Sequence, residues 1–147
     1  MVAANSRMTI AVHALAWMAL ARRRGDAVLT SSQVAASVNT NPVIIRRSLG
    51  DLGRAGLVHV RHGAGAGWSL ARLPEEITLL DVYDAVGQES PFGLHHTEPN
   101  LECPVGKGIR PALSQVYGEI EQVMRRELAF VSVADVLRET LSGKAHR

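Results

Sequence analysis

The sequence predicts a mainly α-helical protein with one small β-hairpin and one long helix near its carboxyl end. Apolar residues recur at helical spacing through much of the chain, and a glycine-rich segment separates two short alternating runs. A later stretch carries a narrow apolar seam with spacings of four and three residues. With 147 residues, of which 46% are hydrophobic, the chain can bury one ordinary core. We therefore expect one domain, or one small domain with an arm.

The first predicted helix covers residues 7–23, where Met8, Val12 and Leu15 recur at helical spacing. Three arginines followed by Gly25 are typical of a helix carboxyl end, because cations stabilise the helix dipole and glycine tolerates positive φ. His13 lies among apolar residues of this helix, so we expect a hydrogen-bonded core histidine rather than a ligand.

Two short helices joined by a polar turn are predicted next. Residues 30–33, Thr-Ser-Ser-Gln, have the form of a capping box and begin the first of them. The pair Asn41-Pro42 supplies a cap and a proline at the first position of the second helix, which ends near Gly56. This helix runs on through Ile44, and its apolar stripe comprises Ile45, Leu49 and Leu52, with Arg46, Arg47 and Arg54 outside it. This pattern is a helix-turn-helix.

A β-hairpin is predicted directly after the second of these helices. Residues 57–61 and 68–72 alternate as strands do, and residues 63–67 form a glycine-rich tip. Glycines in such a tip can cradle a phosphate in a nucleotide site, but neither a following helix nor a P-loop lysine is present. We therefore interpret the hairpin as a wing, whose backbone amides and neighbouring Arg61, His62 and Arg72 can contact DNA.

The charge is divided unevenly along the chain. Residues 1–73 contain nine arginines against two aspartates, a net charge of +7, whereas the rest of the chain carries −5. A basic half beside an acidic half suggests that one end meets a polyanion and the other meets protein or solvent. The alternative is an uneven solvated surface.

Residues 88–108 have no helical or strand periodicity and are predicted to form a long loop after a short capped helix that begins near Thr78. The loop holds several side chains that can bind metals: His95, His96, Glu98, Glu102 and Cys103. A metal-dependent enzyme using this loop is one alternative function. The loop has no ordered spacing such as His-Glu-x-x-His, and we expect neither a catalytic site nor a metal site.

The seam of the long helix begins at residue 109 and predicts a surface that pairs with a second copy of the chain. Its members are Ile109, Leu113, Val116, Ile120 and Val123. Packing inside one chain is the alternative. A short capped helix beginning near Ser132 then closes the chain.

The predicted organisation has three parts: a DNA-binding region (1–73), a connecting helix with an effector or sensor loop (74–108), and a dimerisation helix with the final helix (109–147). No secretory signal is visible in residues 1–7, and no apolar stretch reaches bilayer-spanning length. The single cysteine fits a reducing compartment. We expect a cytoplasmic protein with no membrane partner.

Several segments, taken in their order along the chain, closely resemble the Rrf2 family of bacterial transcriptional regulators, and the resemblance covers almost the whole chain. The matching segments are Val34-Ala35, Asn41-Pro42, residues 52–57, the glycine-rich wing, residues 77–79 and residues 132–137. The chain is most similar to the branch with a Cys-Pro-Val-Gly segment, here residues 103–106. The resemblance implies a winged helix-turn-helix dimer that represses or activates genes at a near-palindromic operator, with the long helix as the dimer interface.

The chain departs from the family pattern at two places. Iron–sulfur members carry three cysteines before the long helix, whereas only Cys103 is present here. Mixed ligation by Cys103, His13, His95 or a glutamate is chemically conceivable because imidazole can replace thiolate, but we expect no cofactor. His62 stands where the family's wing has an arginine, which would weaken the wing contact unless Arg61 replaces it.

The expected partner is double-stranded DNA, with the helix from Pro42 in a major groove. Arg46 is predicted to read a guanine, and the remaining contacts are expected at Ser31, Ser32, Thr40, Asn41, Val43, Arg47, Arg54, Arg61, His62, Gly63 and Gly65. A protein-only adaptor that uses the winged helix for partner binding is the alternative function, although it leaves the basic half unused.

The signal is expected to act through an unknown small effector or through Cys103. A thiol near the start of the long helix, close to Lys107 and Arg110, can have a lowered pKa and act as a redox sensor. The competing hypothesis is that Cys103 is a small packing residue.

Overall fold

A computed structural model describes residues 6–87 and 90–143. Six α-helices and one two-stranded antiparallel sheet make up the described part, with a 3-10 turn at Pro74–Glu76. In chain order they are α1 (Ser6–Arg23), α2 (Ser31–Val38), α3 (Pro42–Arg54), β1 (Val58–Arg61), β2 (Gly67–Leu70), α4 (Leu79–Ala85), α5 (Pro104–Ala129) and α6 (Val133–Leu141). The predicted fold class, mainly α with a small hairpin and one long helix, is confirmed.

The predicted helix starts of the helix-turn-helix are confirmed. The Thr30 hydroxyl accepts a hydrogen bond from the Gln33 amide at 3.1 Å, and the Gln33 side chain accepts one from the Thr30 amide at 2.8 Å. The Asn41 side chain accepts a hydrogen bond from the Val43 amide at 2.8 Å, which caps α3. Asn39 occupies the left-handed region at φ 64° between the two helices, where asparagine is tolerated better than most residues. These local bonds set the turn that orients α3.

The hairpin is joined to the segment before α2 by a pair of backbone hydrogen bonds. The Leu29 amide donates to the Trp68 carbonyl at 2.9 Å, and the Trp68 amide donates to the Leu29 carbonyl at 2.7 Å. Val58 pairs with Leu70 and Arg61 with Gly67, so the predicted tip lies between the strand ends. The wing is therefore fixed at its base to the start of α2.

One apolar core joins α1 to α2, α3, the hairpin, α4 and α6. Leu15 of α1, Ile45 and Leu49 of α3, and Val133 of α6 are all fully buried. The predicted division of the chain groups α6 with the long helix, but the buried side chains of α6 belong to the core that α1 organises. The part of the chain predicted to bind DNA therefore shares its core with the carboxyl-terminal helix, and the two together are called the DNA-binding half below.

Two capping boxes lie side by side where α4 and α6 begin. Thr78 and Ser132 form an isolated antiparallel bridge, in which Leu79 donates to Val131 and Val133 donates to Ile77, each at 2.8 Å. Helix α4 follows Thr78 and still packs on the core through Val82 and Val86, after which the chain continues into an arm and returns to the core at Ser132. This bridge closes the base of the arm formed by α5 and its preceding loop.

Helix α5 projects as an arm with none of its side chains buried in the described chain. It begins at Pro104, five residues before the predicted seam, so Cys103 is its N-cap. The early start is supported by a close contact, because a Cβ at Gly106 would lie only 2.2 Å from the Asn100 carbonyl oxygen. The glycine of the Cys-Pro-Val-Gly segment thus lets the loop fold against the first turn of the helix.

Two sequence-based expectations were wrong in detail. His13 is exposed rather than in the core, and its Nε2 forms a hydrogen bond with the Ser37 hydroxyl at 2.9 Å. Cys103 is exposed, so it is not a packing residue.

In the described ranges, no helix has the length and apolar character needed to cross a bilayer. The expectation about a secretory signal concerns residues 1–7, of which 1–5 lie outside the described residues.

We expect Gly67→Ala to destabilise the fold. A Cβ at this position would lie 2.7 Å from the Leu29 carbonyl oxygen and 3.0 Å from its carbonyl carbon, so the backbone pairing of Leu29 with Trp68 must shift. The free energy of unfolding, measured by urea denaturation, should fall by about 1–3 kcal/mol. Gly93→Ala is the matched control, since no described atom lies within 4 Å of the added carbon. Equal stability of the two variants would contradict this account of the wing.

Candidate nucleic-acid interface

Helix α3 has one buried face and one solvent face. Ile45, Leu49 and Leu52 are fully buried, and Ser48 lies with them at the edge of the core. The opposite ridge, at helical spacing, carries Val43, Arg47, Gly50 and Arg54. Val43 is 60% exposed although it is apolar. The helix is therefore held by its apolar stripe and presents its other face outward, as the sequence predicted.

Arg46 and Arg47 are the exposed cations of this helix that lack a recorded hydrogen bond or ion pair in the described chain. Arg54 differs from them, because its guanidinium forms a close ion pair with Asp51 one turn earlier. A carboxylate oxygen of Asp51 also lies 3.5 Å from a guanidinium nitrogen of Arg7 in α1. The predicted contact at Arg54 is thus partly neutralised, whereas Arg46 and Arg47 are available to an anionic partner.

The residues around the turn are placed beside the start of α3. Ser32 is exposed and Ser31 half-buried at the first turn of α2, and Thr40 is half-buried. Asn41 is exposed, but its side-chain oxygen is already bonded to the Val43 amide. Only the amide nitrogen of Asn41 remains for an outside acceptor.

The wing carries its predicted residues on an exposed tip. Arg61, His62, Gly63 and Gly65 are all exposed, and the Arg61 side chain passes within 4 Å of the position a Cβ of Gly65 would occupy. Gly63 and Gly65 have φ values of 77° and 74°, which favour glycine. The tip can therefore present backbone amides and one arginine to a phosphate chain.

Arg72 lies beside the wing but is directed away from its tip. Its guanidinium donates to the Glu76 carbonyl at 2.7 Å and lies 3.5 Å from the Asp81 carboxylate. Arg72 therefore connects the hairpin to α4 and is not a free cation of the wing.

The arm has two faces, and the predicted seam is divided between them. Ile109, Val116, Ile120 and Val123 share one exposed stripe, which Val105 extends towards the amino end. Leu113 is half-buried and, together with Ile109 at the end of the stripe, lines a cleft of about 220 Å³ with Leu94 and His95 of the preceding loop. On the same packed side, Tyr117 stacks on Phe92 and Arg125 donates to both carboxylate oxygens of Asp84 at 2.8 and 3.1 Å. The exposed stripe is left without an intrachain neighbour that would bury it.

Cys103 is exposed at the amino end of α5. The backbone amides of Gly106 and Val105 lower the pKa of its thiol below the ordinary value, because they donate hydrogen bonds to the thiolate. The thiol is thus accessible, and its anion is more stable than that of an ordinary cysteine.

The loop does not bring its predicted ligands together. The ring centroids of His95 and His96 lie 4.7 Å apart. In residues 6–87 and 90–143, however, no three His, Cys, Asp or Glu side chains are close enough together to hold a metal ion. His13 is bonded to Ser37 on the surface of the DNA-binding half. This donor set, with one thiol, does not fit an iron–sulfur cluster, and the absence of a cofactor stays a prediction.

The sequence interpretation missed two residues on the solvent side of α3. Ile44 was left outside the stripe but given no role; its position one residue before Ile45 places it about 100° around the helix, where it is 47% exposed. Gly50 gave no periodic signal because it has no side chain. A helical projection centred on Ile45 would have identified both positions as solvent-facing.

The chain matches the sequence profile of the Rrf2 family, described as an iron-dependent transcriptional regulator, over residues 4–139. YwnA of Bacillus subtilis strain 168, named as an HTH-type transcriptional regulator, is 38% identical over 133 residues that cover 90% of this chain and 96% of YwnA.

Two solved structures are similar across most of the chain. A crystal structure described as that of a DNA-binding protein is 36% identical, with a TM-score of 0.70, covering 90% of this chain and 99% of the other. IscR of T. potens has the same fold, with a TM-score of 0.71 at 17% identity, covering 99% of this chain and 93% of IscR. The family's members are transcriptional regulators and not enzymes. Helix α3 is anchored in the core, the wing is exposed, and the family profile matches nearly the whole length. These findings support one conclusion: the chain belongs to the Rrf2 family of transcriptional regulators.

Proposed function

We propose that this regulator acts as a homodimer that binds a near-palindromic DNA operator and represses transcription. The observation that carries the proposal is the solvent face of α3, where Arg46 and Arg47 have no intrachain partner in the described residues and stand next to an exposed wing. A dimer with one such face per subunit reads two half-sites, so the symmetry of the operator follows that of the protein. Bound across a promoter, it would exclude other proteins from the same duplex.

In this proposal, α3 enters the major groove and Arg46 donates two hydrogen bonds to guanine O6 and N7. Arg47, Thr40 and the Asn41 amide hold the register on phosphates and bases. Val43, 60% exposed beside these polar groups, is suited to a thymine methyl group.

The remaining contacts would come from the edges of the surface. Ser31 and Ser32 at the start of α2 meet the backbone, and the wing from Arg61 to Gly65 adds phosphate or minor-groove contacts. Arg54 contributes less than the other arginines because it is paired with Asp51.

We propose that the exposed stripe of α5 forms the dimer interface. Val116 and Val123 are 47% and 57% exposed, and a 26-residue helix with no buried side chain has little reason to be stable alone in water. Pairing with the same stripe of a second copy would remove this apolar surface from water. Leu113 would support the interface from the loop side without being part of it.

We further propose Cys103 as the redox-responsive residue. It is exposed, has a lowered pKa and caps the helix that would carry the dimer interface, so a change at its sulfur can alter the first turn of the arm. A small effector stays a second hypothesis for the signal.

Operator binding is expected to be sequence-specific and steeply salt-dependent. A dimer that makes roughly 6–10 phosphate contacts should lose about 10³–10⁵ in affinity between 50 and 200 mM salt. Arg46→Ala should cost roughly 1–3 kcal/mol and relax discrimination at one base pair per half-site. Fluorescence anisotropy on a duplex selected by the wild-type protein from genomic fragments measures both effects.

Arg126→Ala is the matched control for Arg46→Ala, because Arg126 is an exposed arginine on α5, outside the DNA-binding half. Unchanged discrimination by Arg46→Ala would remove Arg46 from base reading. Equal binding of operator and random duplex by the wild-type protein would contradict the proposed function itself and favour the adaptor.

Ile120→Glu is expected to break the dimer. Each subunit would bury an unpaired carboxylate in an apolar interface, which is costly, so the dimer dissociation constant should rise about hundredfold or more. Sedimentation equilibrium measures the change. Gln122→Glu adds the same carboxylate on the opposite side of α5 and should remain dimeric. A dimer of Ile120→Glu as stable as wild type would place the interface elsewhere.

The alkylation of Cys103 by iodoacetamide should reach half its maximal rate at a lower pH in the native chain than in the urea-denatured chain. The amides of Gly106 and Val105 stabilise the thiolate only in the folded protein. Cys103→Ser provides the unlabelled control. If mild peroxide changes operator affinity equally in wild type and Cys103→Ser, the sensor role is excluded.

A further inference from the structure

Gly50 occupies the middle of the solvent ridge of α3, between Arg47 and Arg54. Glycine is less favourable than alanine inside a helix, because the unfolded chain loses more conformational freedom there. A glycine in this position therefore needs a reason, either in the fold or in what the helix contacts.

The fold supplies no such reason. Gly50 does not have a positive φ, so its backbone is open to any residue. A Cβ built on it would meet only the guanidinium of Arg54, at 3.5 and 3.9 Å, and these are ordinary van der Waals distances to the mobile end of a side chain. Alanine would fit without moving any described atom.

Gly67 shows what a structural requirement for glycine looks like, because a Cβ there would meet the Leu29 backbone at 2.7 Å. Gly53, one turn after Gly50, faces the hairpin, where a Cβ would make ordinary van der Waals contacts with the Trp68 ring at 3.8 Å and with Val58 at 3.9 Å. Gly50 lies on the ridge opposite the buried stripe, half-buried beside Arg54, and the core makes no demand on it.

We infer that Gly50 has no side chain so that the backbone of α3 can closely approach operator DNA. The inference rests on the proposed function, in which this ridge enters the major groove. Close approach of the backbone to a ligand is one of the physical uses of glycine.

A methyl group at this position would require a separation of about 3.5–4.0 Å from the nearest atom of the duplex and would push the helix outward. Arg46, one turn earlier, would then lose the 2.7–3.2 Å geometry that hydrogen bonds to a base require. The glycine thus acts as a positioning residue for base reading.

The test separates stability from DNA binding in the full-length chain. Gly50→Ala and Gly50→Ser should have a Tm equal to or above that of the wild type, since the added atoms fit. Their affinity for the selected operator should fall about tenfold or more, while affinity for random duplex should change by about twofold or less. Gly50→Leu should bind the operator more weakly still, because the loss grows with side-chain size.

Gly118→Ala is the matched control, because it replaces an interior glycine of α5 where no described atom lies within 4 Å. It should raise the Tm and leave both affinities unchanged. A second control places Gly50→Ala in an Arg54→Ala background. Persistence of the loss there supports backbone approach, whereas its disappearance would show that Gly50 acts only through Arg54 and would overturn the inference.

Operator affinity of Gly50→Ala equal to wild type, with a wild-type protein that discriminates operator from random duplex, also overturns the inference while leaving the proposed function intact. A wild-type protein that does not discriminate overturns both. The two failures are therefore distinguishable in one titration series.

Discussion

The close packing of other elements around α1 is the constraint on which the rest of the structure depends. Four of its six buried residues are alanines, and short side chains let neighbouring helices approach one another closely. Buried residues of α2, α3, the hairpin, α4 and α6 all join the same cluster around it. Because α3 is fixed by Ile45, Leu49 and Leu52 in this cluster, the direction of its solvent face is determined by packing and not by any contact of the arginines themselves.

Much of the fold could be predicted because the residues that cap the start of each helix lie close together in the sequence. The capping boxes at Thr30 and Ser132 and the Asn41-Pro42 pair need only residues within three positions to form their hydrogen bonds. The glycine-rich tip likewise requires positive φ at Gly63 and Gly65. The glycines that allow this conformation are visible in the sequence. Local chemistry thus located most element boundaries of the DNA-binding half.

The parts that could not be predicted depend on distant contacts. The start of α5 at Pro104 relies on Gly106 packing against Asn100, and the glycines and Pro111 in its first turns hide helical periodicity. The sequence could not show that Leu113 lies apart from the exposed stripe. Its spacing from the other apolar residues is compatible with either of two adjacent helix faces, and only the position of the preceding loop distinguishes them. Nor could the pairing of Arg54 with Asp51, or of Arg72 with Asp81, be foreseen from charge counts, so the number of available cations was overestimated.

Helix α4 is linked by ion pairs both to the base of the wing and to the arm. At one end Asp81 is paired with Arg72 at the base of the wing, and near the other end Asp84 is paired with Arg125 of the arm. Both pairs are exposed and contribute little stability individually. Their geometry nevertheless links the orientation of the hairpin to that of the arm through one short helix.

The bridge between Thr78 and Ser132 makes the whole arm an insertion in the topological sense. The arm lies between α4, which contributes Val82 and Val86 to the core, and Ser132, where the chain returns to the bridge; no side chain of α5 belongs to that core. The length of α5 is therefore independent of the core that orients α3. If the arm pairs two copies as proposed, a gain or loss of whole helical turns in it would change the distance between the two α3 helices while each helix kept its specificity. Relatives would then recognise operators with different half-site spacing through an unchanged recognition unit.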